Sequence, residues 1–326
     1  MKILITGVSG CIGTAVANEL LNKEYEVIGI DTQTCNKDFH NEKFRFINGS
    51  ILDKIFLGDV VADCDAVIHL AAHLGVKRTE VNRLRCLDIN VEGTKNILEA
   101  SHNSGTVKKF IFASSSEVYG EPIENPVSEK SITQGKTIYA ISKLAGEELV
   151  KAYQQELRAF DTCILRYFNT YGPGQVGQFV ITRFLNRVLN NEPPIINGTG
   201  DQLRSYCFSR DTAKATVLAM ENNECKGMTI NIGNSYEPIT LFELANKIIK
   251  LAGKDDLKPK ILGDKYGDRI RDREINYRFS DTSLAEKVLS FKAETSLDSG
   301  LKELIEAGLA KDTWDTFEKD YDFIIE

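Results

Sequence analysis

The stretch that decides the fold is KILITGVSGCIG, residues 2–13, a short apolar run that leads into three spaced glycines. Gly7, Gly10 and Gly13 follow this run and precede a segment with helical periodicity. Glycines permit a tight turn and a close approach of a ligand to the main chain, and the start of a helix offers unbonded N–H groups to an anion. The stretch therefore predicts a strand, a pyrophosphate-binding turn and a helix, with Cys11 and Ile12 inside the binding turn.

The next apolar run, EVIGID, ends in Asp31, eighteen residues after Gly13. A carboxylate at the end of a second strand can accept hydrogen bonds from the ribose hydroxyls of an adenine dinucleotide, and it repels a 2′-phosphate. NAD is therefore expected as the cofactor rather than NADP. The alternative is a strand-end aspartate that only faces water.

Apolar runs of β-forming residues alternate with helix-like stretches over the first half of the chain. The predicted strands cover residues 2–7, 26–31, 44–49, 66–72, 108–115 and 162–169, and the predicted helices cover about 12–23, 80–103 and 139–158. This alternation predicts an α/β fold, a Rossmann-type doubly wound parallel sheet. We expect an NAD-binding domain with the catalytic residues over 1–170. Residues 171–326 are richer in loops and are expected to form mainly a smaller C-terminal substrate lobe, interleaved with the first.

Composition excludes several classes of protein. The net charge of -7 over 326 residues argues against a nucleic-acid binder, because phosphates need a basic surface. The seven cysteines contain no C-x-x-C pair, which argues against a zinc site or a disulfide framework and favours a reducing compartment. No apolar run approaches the length of a signal peptide or a membrane span. We expect a cytoplasmic protein without a metal.

The pentapeptide YAISK places Tyr139 and Lys143 four residues apart, on one face of a predicted helix. A free phenol has a pKa of about 10, so a base that works near pH 7 needs a pKa about three units lower. Lys143 and a nicotinamide cation are expected to supply this shift together in a partly dry site. The alternative is an exposed pair that serves solubility.

The G-x-x-G-x-x-G spacing and the Tyr-x-x-x-Lys pair resemble the extended short-chain dehydrogenase/reductase superfamily, and LRYFNTYGP (165–173) resembles its NAD-dependent nucleotide-sugar epimerase/dehydratase branch. The resemblance implies that Ser115, from FASSSEVYG, joins Tyr139 and Lys143 in oxidising a sugar hydroxyl to a ketone, most often a 4-ketose. It implies a homodimer in which two helices of each subunit, at about 88–103 and 139–158, form a four-helix bundle. Further cofactor contacts implied by the resemblance are Ser50, Ile51, Leu70, Ala71, Ala72, Asn90 and Tyr167.

The resemblance also implies a nucleotide-diphosphate sugar as substrate, for which arginines are expected in an otherwise acidic chain. The substrate contacts implied by matching motifs are Asn169, Phe179, Val180, Arg204 and Arg271. The segment 71–85 matches neither the epimerase nor the decarboxylase pattern. Its cations Lys77, Arg78 and Arg83 are interpreted as surface residues rather than as phosphate ligands.

The presence of a glutamate at position 117 helps to distinguish between the possible reactions. The resemblance places a glutamate here in dehydratases, where it removes the C5 proton, and in UDP-glucuronate decarboxylases, whereas epimerases carry a small or neutral residue. The sequence therefore favours a dehydratase, with Tyr139 as the base for oxidation and Glu117 as the C5 base. A UDP-sugar 4-epimerase is the main alternative, and a decarboxylase or a non-catalytic NAD-sensing regulator is less favoured. The non-catalytic interpretation of Glu117 is a solvated or salt-bridged carboxylate.

Overall fold

The computed structural model describes residues 1–34, 39–262 and 275–308. Its strands are β1 (Lys2–Thr6), β2 (Glu26–Asp31), β3 (Phe44–Asn48), β4 (Ala66–His69), β5 (Lys109–Ser115), β6 (Asp161–Tyr167), β7 (Thr170–Tyr171), β8 (Ile195–Ile196), β9 (Leu203–Arg204), β10 (Cys207–Phe208), β11 (Met228–Ile232), β12 (Ile239–Thr240), β13 (Lys260–Ile261) and β14 (Tyr277–Arg278). Its helices are α1 (Cys11–Asn22), α2 (Lys54–Val61), α3 (Val76–Val81), α4 (Arg83–Leu87), α5 (Gly93–Ser104), α6 (Ile138–Gln155), α7 (Val180–Leu189), α8 (Ser209–Glu221), α9 (Leu241–Leu251), α10 (Ser283–Leu289) and α11 (Leu297–Glu306), with a π turn at Asp88–Glu92 and a 3-10 turn at Ser116–Tyr119.

A parallel sheet of seven strands forms the centre of the molecule, in the order β11-β6-β5-β4-β1-β2-β3. The chain starts in the middle, builds the sheet outward through β2 and β3, and then returns to β4 on the other side of β1. This confirms the predicted doubly wound Rossmann-type fold. In such sheets, ligands bind beyond the carboxyl ends of the strands where the direction of winding reverses, here between β1 and β4.

Two apolar layers cover the faces of the sheet. Strand β1 shows the alternation that separates them, because Ile3 and Ile5 belong to one buried cluster and Leu4 to the other. Helices α1 and α8 pack together on the first face, and α2, α5 and α6 supply the second. Both faces are therefore buried, as the nearly continuous apolar runs predicted.

The single helix predicted over residues 80–103 is wrong in its first part. Asn82 has φ -113° and ψ 57°, outside the helical region, and it separates α3 from α4. Its side-chain amide donates to the carbonyl of Arg78, a local bond that competes with the helical pattern. A π turn at Asp88–Glu92 then precedes α5, so the stretch is a series of helical pieces.

The chain after residue 170 returns to the central sheet. Strand β11 pairs with β6 at the edge of the sheet, and α8 packs against α1 on one of its faces. A second apolar core joins α7, α9 and α11. The division of the chain at residue 170 stays a prediction, although β11 accounts for the expected interleaving. In the described ranges, none of the helices combines the length and the apolar character needed to cross a membrane.

Candidate active site

The glycine turn between β1 and α1 depends on two glycines for its shape. Gly7 has φ +76°, and a Cβ there would lie 2.7 Å from the nitrogen of Ala71. A Cβ on Gly13 would lie 2.2 Å from the carbonyl oxygen of Gly7. Gly10 precedes α1 without a side-chain hydrogen bond to the first turn, so the N–H groups there have no side-chain cap. This arrangement fits the diphosphate of a dinucleotide.

Asp31 ends β2 beside this turn, and both of its carboxylate oxygens are engaged. The main-chain nitrogen of Ser9 donates to Oδ2 at 3.0 Å, and that of Gln33 donates to Oδ1 at 3.0 Å. The carboxylate is therefore fixed next to the glycine turn. Its placement fits the predicted contact with an adenosine ribose.

Ser50 and Ile51 follow β3 on the same side of the sheet as Asp31. The hydroxyl of Ser50 accepts from the nitrogen of Leu52 at 3.2 Å, and the carbonyl of Ile51 accepts from the amide of Asn96 at 3.1 Å. These bonds hold the backbone of the segment in place. Contact of Ser50 and Ile51 with an adenine ring stays a prediction.

The segment Leu70–Ala72 leaves β4 over the glycine turn and is tied to β1. The nitrogen of Leu70 donates to the carbonyl of Thr6 at 3.1 Å, and the nitrogen of Ala71 donates to the hydroxyl of Thr6 at 3.1 Å. His69 lies beneath it, with Nδ1 2.6 Å from the Thr6 hydroxyl. Burial, helped by the charge of Lys143, lowers the pKa of His69 to about 3, so His69 is a neutral structural residue.

Asn90 connects this segment to the helix that carries the catalytic pair. Its Oδ1 accepts from the nitrogen of His73 at 2.7 Å, and its Nδ2 donates to the carbonyl of His73 at 3.0 Å and to the hydroxyl of Ser142 at 2.9 Å. The amide is therefore a positioning group between β4 and α6. Direct contact of Asn90 with the cofactor stays a prediction.

Ser115, Tyr139 and Lys143 lie together at the carboxyl end of β5. Ser115 is the last residue of β5, and its side chain is hydrogen-bonded to the phenol of Tyr139, a half-buried residue. Lys143 is one helical turn further along α6, with Nζ 5.9 Å from the centre of the Tyr139 ring. Nζ donates to the carbonyl of Ala113 at 2.7 Å, which fixes the ammonium under the sheet edge.

The protein's own groups shift the pKa values of Tyr139 and Lys143 away from those that an ionised phenol beside a charged lysine requires. Burial raises the pKa of Tyr139, the charge of Glu117 raises it further, and the Ser115 hydrogen bond acts in the other direction. Burial lowers the pKa of Lys143 to about 8, against the charges of Cys86 and Glu147. The expected lowering of the Tyr139 pKa is therefore not produced by the chain, and it requires further positive charge beside the phenol.

Glu117 is held by an arginine that the sequence analysis missed. Its Oε1 accepts from Nη2 of Arg278 at 2.6 Å, and Arg278 is only 2% exposed. The nitrogen of Glu117 also donates to the hydroxyl of Ser115 at 3.2 Å. Glu117 is therefore ion-paired within the cluster and not solvated. The sequence carries no local signal for this contact, because Glu117 and Arg278 are 161 residues apart in the chain.

Arg204 and Asn169 lie near this pair but are bonded to the main chain. The Arg204 guanidinium donates to the carbonyls of Leu203 at 2.8 Å and of Asn276 at 3.0 Å, and also to that of Ile275. Asn169 donates to the carbonyl of Ser205 at 3.2 Å. These bonds attach β9 to its neighbours. Binding of a diphosphate by Arg204 and Asn169 stays a prediction.

The other residues predicted to contact the cofactor or the substrate lie in different parts of the structure. The hydroxyl of Tyr167 bonds to that of Thr216 in α8 at 2.8 Å, on the side of the sheet covered by that helix. Phe179 is 38% exposed just before α7, and Val180 begins that helix. Arg271 lies outside the described residues. Within the described part of the chain, no group of three or more metal-binding side chains is arranged around a common point.

The segment 71–85 contributes a surface pair and a helix contact. Arg83 is more than half exposed and lies 2.9 Å from Glu80. The other oxygen of Glu80 accepts from the nitrogen of Ile138 at the start of α6, at 3.1 Å. Arg83 therefore acts as a surface residue that supports the position of the catalytic helix.

Comparison with known proteins gives a consistent result over most of the chain. Residues 3–233 match the model of the NAD dependent epimerase/dehydratase family. A putative UDP-glucose 4-epimerase of Methanocaldococcus jannaschii is 35% identical over 93% of this chain and 97% of its own length. A UDP-N-acetyl-alpha-D-glucosaminuronate decarboxylase of Bacillus cytotoxicus is 33% identical over 94% of this chain and 97% of its own length. Proteins called dTDP-D-glucose 4,6-dehydratase are also among the relatives.

A solved structure with bound ligands has the same fold. UDP-glucuronic acid 4-epimerase from Bacillus cereus, in complex with UDP-glucuronic acid and NAD, aligns with a TM-score of 0.84 at 30% identity. The alignment covers 94% of this chain and 99% of that one. The relatives thus share one fold and differ in the reaction for which they are named.

Proposed function

Because this chain belongs to the NAD-dependent epimerase/dehydratase family, we propose that it is a nucleotide-sugar dehydratase that acts through a transient 4-keto sugar. The family's cofactor is NAD, as the glycine turn and Asp31 predicted. The observation that carries the proposal is the placement of Glu117. Its main-chain nitrogen donates to the hydroxyl of Ser115 at 3.2 Å, and Ser115 is hydrogen-bonded to Tyr139. A carboxylate therefore stands beside the catalytic phenol, and its charge raises the pKa of Tyr139.

The first step uses Ser115 and Tyr139. The C4 hydroxyl of the sugar takes a position within hydrogen-bond distance of both side chains. Tyr139 then accepts the proton of that hydroxyl. Bound NAD supplies the hydride acceptor and a positive charge in its nicotinamide ring. The chain alone raises the pKa of Tyr139, so this nearby positive charge offsets the effect of burial. Lys143 is held by its hydrogen bond to the carbonyl of Ala113 and stands beside the Tyr139 ring.

The second step uses Glu117. A ketone at C4 makes the C5 hydrogen acidic, and the Glu117 carboxylate takes that proton while the bond between C6 and its hydroxyl oxygen breaks. The proton then leaves with the hydroxyl group as water. C6 accepts the hydride that C4 gave up and a solvent proton adds at C5, so the product is a 4-keto-6-deoxy sugar lighter by one water. Ser116 stands where an aspartate would serve as the acid, so Glu117 performs both transfers. Arg278 stabilises the ionised form of Glu117 at the start of this step.

A 4-epimerase is the second candidate, and the same ion pair favours it. A carboxylate bonded to a guanidinium at 2.6 Å is a weaker base than a free one, which argues against proton removal from C5. The 35% identical relative named as a putative UDP-glucose 4-epimerase is consistent with this candidate. In an epimerase the 4-keto sugar turns over and regains its hydride on the other face.

Incubation with a panel of UDP-, dTDP- and GDP-sugars, followed by mass spectrometry, distinguishes the candidates. A dehydratase gives a product lighter by one water, whereas an epimerase gives a product of unchanged mass with a new sugar configuration. The Tyr139→Phe variant is expected to lose conversion by about 10²–10⁴-fold, since the proton acceptor is removed. Full activity of Tyr139→Phe would contradict both candidates.

Replacement of Glu117 tests its assignment directly. In deuterated water, the dehydratase proposal predicts that Glu117→Gln loses deuterium incorporation at C5 while C4 oxidation, followed by NADH absorbance, continues. Glu148→Gln is the matched control, because that carboxylate is exposed on α6 and pairs only with Lys151 among the described residues. Unchanged incorporation at C5 in Glu117→Gln would remove Glu117 from the role of base.

We expect the protein to be a homodimer through helices of the α4–α6 region. Leu84 in α4 and Ile141 in α6 are large apolar side chains that are 78% and 51% exposed, and the two helices are neighbours. An apolar surface of this kind supports a subunit contact. Light scattering of the wild type, and of a Leu84→Glu/Ile141→Glu double variant, tests the expectation, because the variant should be monomeric.

A further inference from the structure

We infer that Glu147 is a positioning residue for the oxidation at C4, because it fixes α6 on β5 in the register that brings Tyr139 and Lys143 to their partners. The inference rests on the proposed function, since it concerns the oxidation step, which a dehydratase and an epimerase share. Glu147 is only 1% exposed, and its carboxylate is bonded to β5 and β6. It acts on the reaction through the helix that carries it.

Glu147 lies on the same face of α6 as the two catalytic residues. Tyr139, Lys143 and Glu147 follow one another at intervals of four residues, a spacing that places side chains along one face of a helix. This face is turned toward the end of β5, since the helix and the strand pack together in the second apolar layer. The three side chains therefore meet the strand from successive turns of the helix.

Three consecutive residues of β5 bond to this face, one to each of its side chains. The pairs are Ser115 with Tyr139 through their side chains, Ala113 with Lys143 through its carbonyl at 2.7 Å, and Ser114 with Glu147 through its hydroxyl at 2.5 Å. Since all three bonds join the same two elements, a shift of α6 along β5 would change all of them together. The bond to Glu147 therefore maintains the register on which the two catalytic residues depend.

The strand next to β5 holds the same carboxylate. Arg166 of β6 is the register partner of Ser114, and it donates to Glu147 from Nε at 2.8 Å and from Nη2 at 2.7 Å. Ser114 and Arg166 are both buried, so water does not compete for these bonds. A two-bond contact between a guanidinium and a carboxylate fixes direction as well as distance. Glu147 thus attaches α6 to two adjacent strands, one helical turn beyond Lys143.

A glycine between Lys143 and Glu147 lets the helix lie directly against the strand. A Cβ on Gly146 would be 2.5 Å from the ring of Phe112, so α6 meets β5 at this point without a side chain of its own between them. The Nζ of Lys143 lies 5.1 Å from the centre of the same ring. A small displacement of the helix would therefore move the ammonium relative to the end of β5. Misplacement of a catalytic group by about 1 Å costs a rate factor of about 10².

The carboxylate also acts on the lysine through its charge. Burial lowers the pKa of Lys143 to about 8, and the charges of Cys86 and Glu147 oppose that effect. Loss of the Glu147 charge would therefore disfavour the protonated lysine that an ionised Tyr139 requires beside it. Position and charge link Glu147 to the same step.

Stopped-flow measurement of cofactor reduction separates this role from a structural one. The NAD-loaded full chain is mixed with saturating UDP-, dTDP- and GDP-hexoses, and the rate of NADH formation is followed by absorbance. Ser114→Ala removes one bond to Glu147 and leaves the Arg166 pair, and it should slow this step at least about fivefold with little change in sugar affinity. Ser114→Thr keeps the hydroxyl and should stay within about twofold of the wild type. Glu147→Gln should slow the step at least about tenfold.

Gln154→Ala is the matched control. Gln154 also bonds α6 to β6, because its Oε1 accepts from the nitrogen of Thr162 at 3.2 Å, but it lies about two turns beyond Glu147. This variant should lose stability without slowing the reduction. Circular dichroism gives the folded fraction of each variant, so that every rate is compared per folded molecule.

A second measurement does not depend on activity. In the protein without NAD, the ¹³C resonance of the Lys143 side chain is assigned by its loss in Lys143→Met. It should shift in Ser114→Ala and in Glu147→Gln, because the helix carries the ammonium away from the carbonyl of Ala113. The same resonance should keep its position in Gln154→Ala.

Three results would overturn the inference. The first is a wild-type rate per folded molecule in both Ser114→Ala and Glu147→Gln, and the second is an unshifted Lys143 resonance in both. The third is an equal slowing in Gln154→Ala, which is the result of a general loosening of α6. If none of the hexoses reduces the bound NAD of the wild type, the proposed function itself is wrong, while the resonance of Lys143 still tests the position of the helix. The two failures are therefore distinguishable.

Discussion

Two buried pairs of arginine and glutamate lie close to the catalytic helix, and they are bonded in different ways. In the first, Arg166 donates from Nε and Nη2 to the two carboxylate oxygens of Glu147 at 2.8 and 2.7 Å, and from Nη1 to the hydroxyl of Tyr119 at 2.9 Å. In the second, Arg278 donates to Glu117 from Nη2 alone. Every guanidinium nitrogen of Arg166 is bonded, whereas two of Arg278 have no acceptor among residues 1–34, 39–262 and 275–308.

This difference separates a pair whose bonding is complete from one whose bonding is incomplete beside Ser115 and Tyr139. The Glu147 pair joins α6 to β6, and Ser114 of β5 adds a bond to Glu147 at 2.5 Å. A fully satisfied buried network of this kind makes the fold rigid. The Glu117 pair lies beside Ser115 and Tyr139, and within the described residues two guanidinium nitrogens of Arg278 have no acceptor. The same type of ion pair is therefore part of a complete network at α6 and of an incompletely bonded contact at β14.

The largest effect is expected from breaking the complete pair. Glu147→Gln should lower the free energy of unfolding by about 3–5 kcal/mol, because it leaves the Arg166 charge buried without its counter-ion. Urea titration followed by circular dichroism measures this loss. Glu148→Gln, at the exposed neighbouring position, should stay within about 0.5 kcal/mol of the wild type. Similar losses in both variants would show that the network does not stabilise the fold.

A pH effect of intermediate size should arise at Lys143. Its pKa is lowered from 10.5 to about 8 by burial, so between these values the unfolded chain binds more protons than the folded one. The free energy of unfolding should therefore rise with pH above about 8, by up to about 1.4 kcal/mol per pH unit from this group. Lys143→Met removes the group, and the difference between the two proteins from pH 7.5 to 9.5 isolates its contribution.

The Glu147 pair should change this titration as well. The charge of Glu147 acts to raise the pKa of Lys143, so Glu147→Gln should move that pKa below about 8. NMR of ¹³C-labelled lysine side chains follows the titration directly. An unchanged titration would mean that the pair supports α6 without affecting the charge of its lysine.

A smaller effect on stability is expected from the incomplete pair. Arg278→Gln should lower the free energy of unfolding by about 1–2 kcal/mol, since a single charged hydrogen bond is lost while the removal of two unfavourable buried donors offsets part of that loss. The same urea titration applies. A loss as large as that of Glu147→Gln would remove the contrast between the two pairs.

The smallest effect is expected from an ion pair on the surface. Arg210 lies 3.1 Å from Glu303, and both side chains are more than a third exposed. Arg210→Gln should change the free energy of unfolding by less than about 0.5 kcal/mol, because exposed pairs are screened by water and salt. A larger loss at 0.5 M salt would indicate that Arg210 contributes by packing on Phe208, whose ring centre lies 5.0 Å away.

The parts of the site that follow from local spacing were predictable from the sequence. The glycine turn, the end of β2 at Asp31 and the Tyr139–Lys143 pair each depend on residues only a few positions apart. Ser115 was added by the resemblance of FASSSEVYG to known motifs. The structure brings Ser115, Tyr139 and Lys143 together, since β5 ends where α6 passes.

The parts that depend on distant pairings were not predictable. Arg278 reaches Glu117 only because β14 pairs with β9, more than seventy residues earlier in the chain. The arginine predicted to contact the substrate in this part of the chain was Arg271 instead, and it lies outside the described residues. The break at Asn82 was missed for a related reason: the apolar period continues across it, and the local bond to Arg78 has no separate signal in the pattern.

The bonding of Asp31 limits how the coenzyme preference could be redesigned. A change to arginine removes the repulsion of a 2′-phosphate but also removes both acceptors for the Ser9 and Gln33 nitrogens, and a change to serine leaves one oxygen where the carboxylate provides two. Those two nitrogens belong to the loops that form the adenosine side of the turn. A redesign toward the phosphorylated coenzyme would therefore need a second substitution that restores an acceptor for the loop, in addition to the one that admits the phosphate.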